Sequence, residues 1–439
     1  MSDLFAISMF VMLFLGLATG LPLAFVLAGL ALIFGLIGWG PDCLIIFTNS
    51  IYGIMNNASL TAVPLFVFMA NFLTASNVTE GLFDSSRYLL GKLRGGVGLA
   101  VIVVATVFAA CTGVVGASVV TMGLLSIGAL NSYGYKGSLT AGIVCAGGSL
   151  GILIPPSIML VVMASTAQVS VGKLFLAALV PGLLLAFCYA AYTLIICWKY
   201  PEMGPALSDE ELARVPVKQR IIGCLVNLVP PVLLIVGVLG SIYTGVATPT
   251  EAAAIGALFS ILMAVCYRRF NMDVLRSAVV DTAKTTTMCM AIMMCAGCFT
   301  NMFLGLGGDE VVKRLIETLG LEKWGVFTLM MIIMLILGCF LDWMGIVMIV
   351  LPIFLPLMRA FEFDMIWLMA ISAVMLQTCF LTPPVGYALF YIKGVAGDTI
   401  STAEIYRGVV PFVLIIVAVV ALLAIFPEII TWLPAQSKA

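Results

Sequence analysis

The stretches GILIPPS (residues 151–157) and FLTPPVG (residues 380–386) decide how this chain is to be read. Each carries a Pro-Pro pair inside a long apolar run. Proline lacks a backbone N–H and disfavours helical geometry in the residue before it, so a helix that reaches either pair has to break. The carbonyls near Leu153 and Leu381 then lose their partners one turn further on. The two pairs lie 228 residues apart (155 to 383), and the spacing recurs elsewhere. GLATGLPLAFVLAGLA (16–31) matches GVATPTEAAAIGAL (245–258), with Pro22 opposite Pro249 and Gly29 opposite Gly256, both at an offset of 227. TGVVGAS (112–118) falls opposite LDWMGIV (341–347), Gly116 matching Gly345 at 229, and Pro181 falls opposite Pro411 at 230. Gly and Pro are common in membrane helices, but four landmarks at a nearly constant offset point to a chain written twice.

Composition places both copies in a bilayer. Of 439 residues, 63% are apolar and 9% charged, where soluble domains have about half and a quarter. Apolar runs near the roughly 20 residues needed to cross a membrane recur from Leu4 to Pro434, with no soluble domain between them that would hold a catalytic site. The first run, Leu4 to Thr19, has no basic segment before it and no small-residue cleavage site, so it is expected to be a retained span. The 12 Cys are scattered through apolar stretches, and even the close pair Cys295 and Cys298 reads as small hydrophobes. There is no His. That removes the commonest proton shuttle and metal ligand and leaves oxygen atoms to bind any ion. A net charge of -1 gives no basic field for nucleic acid.

The expected fold is all-α and integral to the membrane, with two inverted-topology repeats, residues 1–198 and 221–439, joined by a polar cytoplasmic linker, 199–220. Each repeat reads in the same order. Two long spans (4–19 and 22–38; 222–243 and 247–267) precede an interfacial helix (42–57; 271–284), a third span (58–76; 286–305) and a charged amphipathic stretch (78–94; 309–323). The apolar runs 97–130 and 325–358 are too long for one helix and too short for two crossings, so each is expected to be a re-entrant hairpin. A Pro-Pro-interrupted helix (138–169; 367–397) and a closing span (172–198; 402–426) complete the repeat. Scaffold spans then occupy 1–76 and 221–305, and the hairpins and broken helices 97–169 and 325–397. With hairpins counted as zero, five crossings per repeat invert the second copy, a common design in secondary transporters. Placing the N-terminus outside gathers 14 of the 20 Lys and Arg on one side, among them Arg87, Lys136, Lys199 and Arg269. The positive-inside rule makes that side cytoplasmic, and ten crossings return the C-terminus outside.

The chemistry is expected where the backbone is irregular. Carbonyls freed at membrane depth are tolerated only where they line a protein-filled or watery cavity, and they are ligands sodium accepts. The hairpin tips, Gly113 to Gly116 and Asp342 to Gly345, add main chain of the same kind. Asp342 is an ionisable residue inside an apolar span, a functional site by default, with structural pairing as its competing role. Thr112, Ser118, Ser157 and Thr382 stand beside the breaks as ion or carboxylate ligands, or as helix caps. Glu251 reads at least equally well as compensation of a helix dipole. The half-helices after Pro156 and Pro384 turn positive ends to the centre, which suits an anionic substrate. GGSLG (147–151) fits the serine-hydrolase pattern but lacks a strand-to-helix turn and a His base, leaving an intramembrane hydrolase as a remote alternative.

On these same residues the chain resembles the large membrane subunit of tripartite ATP-independent periplasmic (TRAP) transporters, of the wider ion-transporter superfamily. The marks are FAACTGVVGASVVTMG at the first hairpin, GILIPPS, GVATPTEAAA, LDWMGIVMIVLPIFLP at the second hairpin, and FLTPPVGYALFY. The resemblance spans essentially the whole chain. It implies an elevator-type transporter in a bacterial inner membrane, driven by sodium as coupling ion. The partners it implies are a small four-helix membrane subunit and a periplasmic substrate-binding protein that delivers a small carboxylate. By motif, Thr112, Gly113, Gly151 and Pro155 would form one sodium site, and Asp342, Gly345 and Thr382 a second. Val114, Pro156, Ser157, Thr382 and Pro384 would face the substrate. Val114 and Val115 stand where sialic-acid members carry serines, which favours a less hydroxylated acid such as a 2-oxo acid, a dicarboxylate or an aromatic acid. A stand-alone cation-coupled anion carrier is the nearest alternative.

Overall fold

The structure, a computed structural model, describes residues 2–76, 80–113, 115–213 and 215–437. In the first half, α1 (Ser2–Ala18), α2 (Leu23–Trp39), α3 (Cys43–Met55), α4 (Ala62–Ala75) and α5 (Glu80–Leu90) precede the hairpin arms α6 (Gly96–Thr112) and α7 (Val115–Ser132). The first Pro-Pro run folds as α8 (Gly137–Ser149) and α9 (Ile158–Ala167), and α10 (Val171–Lys199) closes the half. After α11 (Asp209–Ala213) the order repeats: α12 (Val217–Tyr243), α13 (Pro249–Cys266), α14 (Met272–Gly305), α15 (Gly308–Thr318), and the arms α16 (Lys323–Gly338) and α17 (Trp343–Ala360). The second Pro-Pro run gives α18 (Met365–Met375), α19 (Thr378–Leu381) and α20 (Tyr387–Ala396), followed by α21 (Thr402–Ile425) and α22 (Glu428–Ala435). Among the described residues nine helices are long and apolar enough to cross a membrane, or ten if the bent pair α15–α16 is one span.

Local chemistry accounts for the helix ends. Asn271 caps α14 by accepting from the Val274 N–H, and Asp364 caps α18 by accepting from Ile366 and Trp367. Thr248 with Glu251 and Ser401 with Glu404 form capping boxes at the starts of α13 and α21, each side chain accepting from the other's backbone N–H. Of the two roles open to Glu251, the structure supplies the local one at the helix start. Pro181 and Pro411, the pair at offset 230, both lie inside the closing helices α10 and α21.

Two expectations change. The interfacial helix at 271–284 and the span at 286–305 are one continuous 34-residue helix, α14. No proline or glycine interrupts it before Gly297. At 1.5 Å per residue it measures about 50 Å, more than the roughly 30 Å hydrocarbon core, so its polar first turns extend past the apolar layer without a break. The second broken helix is in three pieces, α19 being an extra turn. The linker 199–220 is strapped to the first hairpin's base: Gly95 N–H donates to the Gly204 carbonyl at 2.9 Å, Leu207 N–H donates to that of Gly91 at 2.9 Å, and Lys136 meets Glu202 at 2.8 Å.

The two halves interleave. On one side α2, α3 and α4 pack against α14, and α4 against α13. Elsewhere the pairing is reciprocal: α8 packs on α21 and α18 on α10, while α7 packs on α20 and α17 on α9. Each broken helix is thus held by the closing span and hairpin arm of the other half. The α8–α21 contact is close because Gly408 and Gly142 carry no side chains there. A Cβ on Gly408 would lie 1.9 Å from the Ser138 carbonyl oxygen, and one on Gly142 2.3 Å from that of Gly408.

Candidate functional site

Each hairpin tip meets the break of its own half. At the first tip α6 ends at Thr112, and Gly113 turns the chain with φ +58°, a left-handed conformation that glycine adopts without a Cβ penalty. A Cβ there would lie 3.4 Å from the Pro156 carbonyl oxygen and 3.9 Å from the Ser157 Cα, so tip and break are in contact. The hydroxyls of Thr112 and Ser118 hydrogen-bond across the tip at 2.7 Å, both buried. Val114 lies outside the described residues. In the break, Ser157 caps α9 by accepting from Leu160 N–H, and its hydroxyl donates to the Ile152 carbonyl. The carbonyls of Gly151, Leu153 and Ile154 accept no hydrogen bond from any described residue.

The second tip repeats the plan with a charge added. Asp342 caps α17, its Oδ1 accepting from Gly345 N–H at 3.1 Å. Val385 N–H, just past the second Pro-Pro pair, donates to the Cys339 carbonyl at the end of α16 at 3.2 Å. The end of α16 lies against α19, where a Cβ on Gly338 would come 3.1 Å from that of Cys379. Thr382 spends its hydroxyl on the Thr378 carbonyl at 2.7 Å, and the carbonyls of Leu381 and Thr382 accept nothing from described residues. Gly151, Pro155 and Pro156 thus lie in a break that Thr112 and Gly113 approach, and Thr382 and Pro384 in a break that the tip bearing Asp342 and Gly345 approaches.

One residue beside the second break went unnoticed in the sequence. Gln377, between α18 and α19, is fully buried, and neither its Oε1 nor its Nε2 finds a hydrogen-bond partner among the described residues. A buried amide left unpaired costs on the order of 1–3 kcal/mol, so the group stands open to a water or a ligand. Alignment at offset 228 sets Gln377 opposite Ser149, the only signal the sequence held. Ser149 donates to the Ala146 carbonyl within α8, so GGSLG is helix and not the turn that exposes a nucleophile.

The sequence profile of the Tripartite ATP-independent periplasmic transporter family, DctM component, matches residues 10–429. The chain belongs to this family. It is 33% identical over 404 residues to the C4-dicarboxylate TRAP transporter large permease protein DctM of Pseudomonas aeruginosa, covering 91% of this chain and 90% of that one. It is 28% identical to the sialic acid large permease SiaM of Vibrio cholerae, covering 95% and 96%. The isethionate permease protein DctMQ of Oleidesulfovibrio alaskensis is 30% identical, with 94% of this chain matching 64% of that longer protein. Among solved structures, the YdaH transporter of Alcanivorax borkumensis superposes with a TM-score of 0.65 over 94% of this chain and 98% of that one, at 13% identity, a likeness of fold. This large permease component is therefore a multi-pass bacterial membrane transporter subunit and not an enzyme.

Proposed function

We propose that this permease takes up a small organic carboxylate by coupling it to sodium, with the two tip-and-break sites as the ion cages. The observation that carries the reading is the pair of Pro-Pro breaks, each leaving carbonyls without donors and each met by a hairpin tip. Sodium is a small cation satisfied by carbonyl and hydroxyl oxygen, which these breaks offer where no His is available. Thr112, Gly113, Gly151 and Pro155 form the first cage, and Asp342, Gly345 and Thr382 the second. The positive ends of α9 and α20 turn Pro156, Ser157, Pro384 and Thr382 toward the anion. Hairpins and broken helices move as an elevator against a scaffold built from α1–α4 and α12–α14.

The printed names of the relatives, for C4-dicarboxylate, isethionate and sialic acid, favour an acid as cargo. A tripartite family supplies a small membrane subunit and a periplasmic binding protein as partners. The exposed apolar face of α12, with Leu225, Leu233 and Val236, suits lipid or that subunit. Both termini are periplasmic on the distribution of Lys and Arg.

The test is uptake of a labelled carboxylate panel into proteoliposomes holding the complex, with and without a sodium gradient and the binding protein. Uptake that needs both supports the reading. Uptake with sodium alone makes the chain a stand-alone carrier, and sodium-independent uptake removes the cages.

A further inference from the structure

A cavity of 490 Å³ with a mixed polar and apolar lining lies between α3, α14, the end of α9 and the second half of α17. Its volume falls in the range of about 300–1,000 Å³ that small-molecule sites occupy. Arg359, at the last turn of α17, is its one cationic lining residue, and no Asp or Glu lines it. Arg359 donates from Nη2 to the Ala167 carbonyl at 2.8 Å, which fixes the guanidinium at the end of α9. It makes no ion pair with any described residue, so most of its donors and all of its charge remain available to a ligand.

The walls add amides and hydroxyls already held in place. Asn57 donates to Ser165 Oγ at 2.7 Å and Asn301 to Ser50 Oγ at 2.7 Å, while the Asn49 and Gln168 side chains have no hydrogen bond to described residues. A guanidinium with no carboxylate partner among the described residues, set beside neutral donors, suits a carboxylate, which it can hold in two parallel charge-assisted hydrogen bonds. The walls also come from two groups of helices: α3 and α14 from the scaffold side, α9 and α17 from the broken-helix and hairpin side. Asn57 to Ser165 and Thr300 Oγ1 to the Met348 carbonyl, at 3.1 Å, cross that boundary.

We infer that this cavity is a carboxylate-binding vestibule, in which Arg359 captures the acid on the periplasmic side before it reaches the hairpin tips. The role rests on the uptake reading above; the anion site itself does not. Asn57 and Gln168 orient the second carboxylate oxygen or a polar substituent, and the bonds crossing the boundary have to rearrange as the acid passes inward.

The site is tested first without substrate or sodium. Asn49→Cys is introduced with the exposed Cys266 replaced (Cys266→Ser), and the whole complex in proteoliposomes is labelled from outside. The probes are the anionic sulfonatoethyl and the cationic trimethylammonioethyl methanethiosulfonates. Arg359→Gln is expected to lower the anionic-to-cationic rate ratio by about fivefold or more, as expected for a unit charge within a few ångströms in a partly aqueous site. Arg359→Lys keeps the ratio, which separates charge from a collapsed cavity. A ratio unchanged by Arg359→Gln overturns the anion site, and a ratio that falls equally in Arg359→Lys does too. For the route, Arg359→Gln is expected to raise the half-saturating carboxylate concentration of uptake about tenfold, the loss of one charge-assisted hydrogen bond. An unmoved half-saturation beside a moved labelling ratio overturns the vestibule. Loss of sodium dependence with the labelling ratio intact overturns the coupling proposal and not this site.

Discussion

Val385 donates its N–H to the carbonyl of Cys339 at 3.2 Å, so the residue after the second Pro-Pro pair is bonded to the end of the second hairpin's first arm. Tip and break are therefore joined through the main chain. The first half reaches the same end by contact, Gly113 lying against Pro156. In both, irregular backbone is gathered at one place where a ligand can use its carbonyls, which is how such backbone is tolerated at membrane depth.

The buried amide of Gln377 separates fold from function. Gln377→Leu removes two unpaired polar atoms at nearly constant volume, so the apparent melting midpoint of the purified complex is expected to rise, by the equivalent of about 1 kcal/mol. Sodium-dependent uptake is expected to fall about tenfold if the amide serves the second cage. A variant that is both less stable and fully active would contradict this assignment.

The α8–α21 crossing is a packing constraint with no ligand in it. Gly408→Ala places a Cβ 1.9 Å from the Ser138 oxygen, a backbone atom that cannot step aside without parting the helices. The expected result is loss of a monodisperse peak on size-exclusion chromatography, at a cost of about 3 kcal/mol or more. Gly128→Ala, with nothing within 4 Å in α7, should be tolerated and gains about 1 kcal/mol of helix propensity.

The linker strap carries a pH signature. Lys136, through a hydrogen bond and its charge, holds the Glu202 carboxyl below its usual 4.5. Its folded pKa is depressed, so the stabilisation is present at neutral pH and disappears as pH falls through that lowered value. Because the pair is exposed, Glu202→Gln is expected to shift the melting midpoint only slightly at pH 7, and not at all once pH has fallen through the lowered pKa and the carboxyl is protonated. A difference that grows on acidification would reverse the sign.

Much of this was legible because it is written in residues with few alternatives. Pro155–Pro156 and Pro383–Pro384 cannot continue a helix, and their common offset with Gly116 and Gly345 exposes the duplication. Asp342 announces itself as a charge in an apolar run. What was missed lacks that kind of signal. The polar run Lys284 to Thr287 resembles a helix boundary, yet a helix leaving the bilayer keeps its hydrogen bonds and continues as α14. The Arg359 cavity draws on four helices from both halves, so no spacing along the chain marks it. Gln377 is a single amide in an apolar stretch, and only its burial without a partner distinguishes it.

The most direct test of the cages is equilibrium binding of radioactive sodium to the purified complex in lipid nanodiscs, comparing the unaltered chain with Asp342→Asn. Asparagine caps a helix about as well as aspartate, so the start of α17 is kept while its charge is removed. Saturable binding, displaced by sodium and not by potassium, with at least one ion fewer in the variant, is the predicted result. Equal binding by both chains, or no saturable sodium while uptake follows a proton gradient, would contradict it.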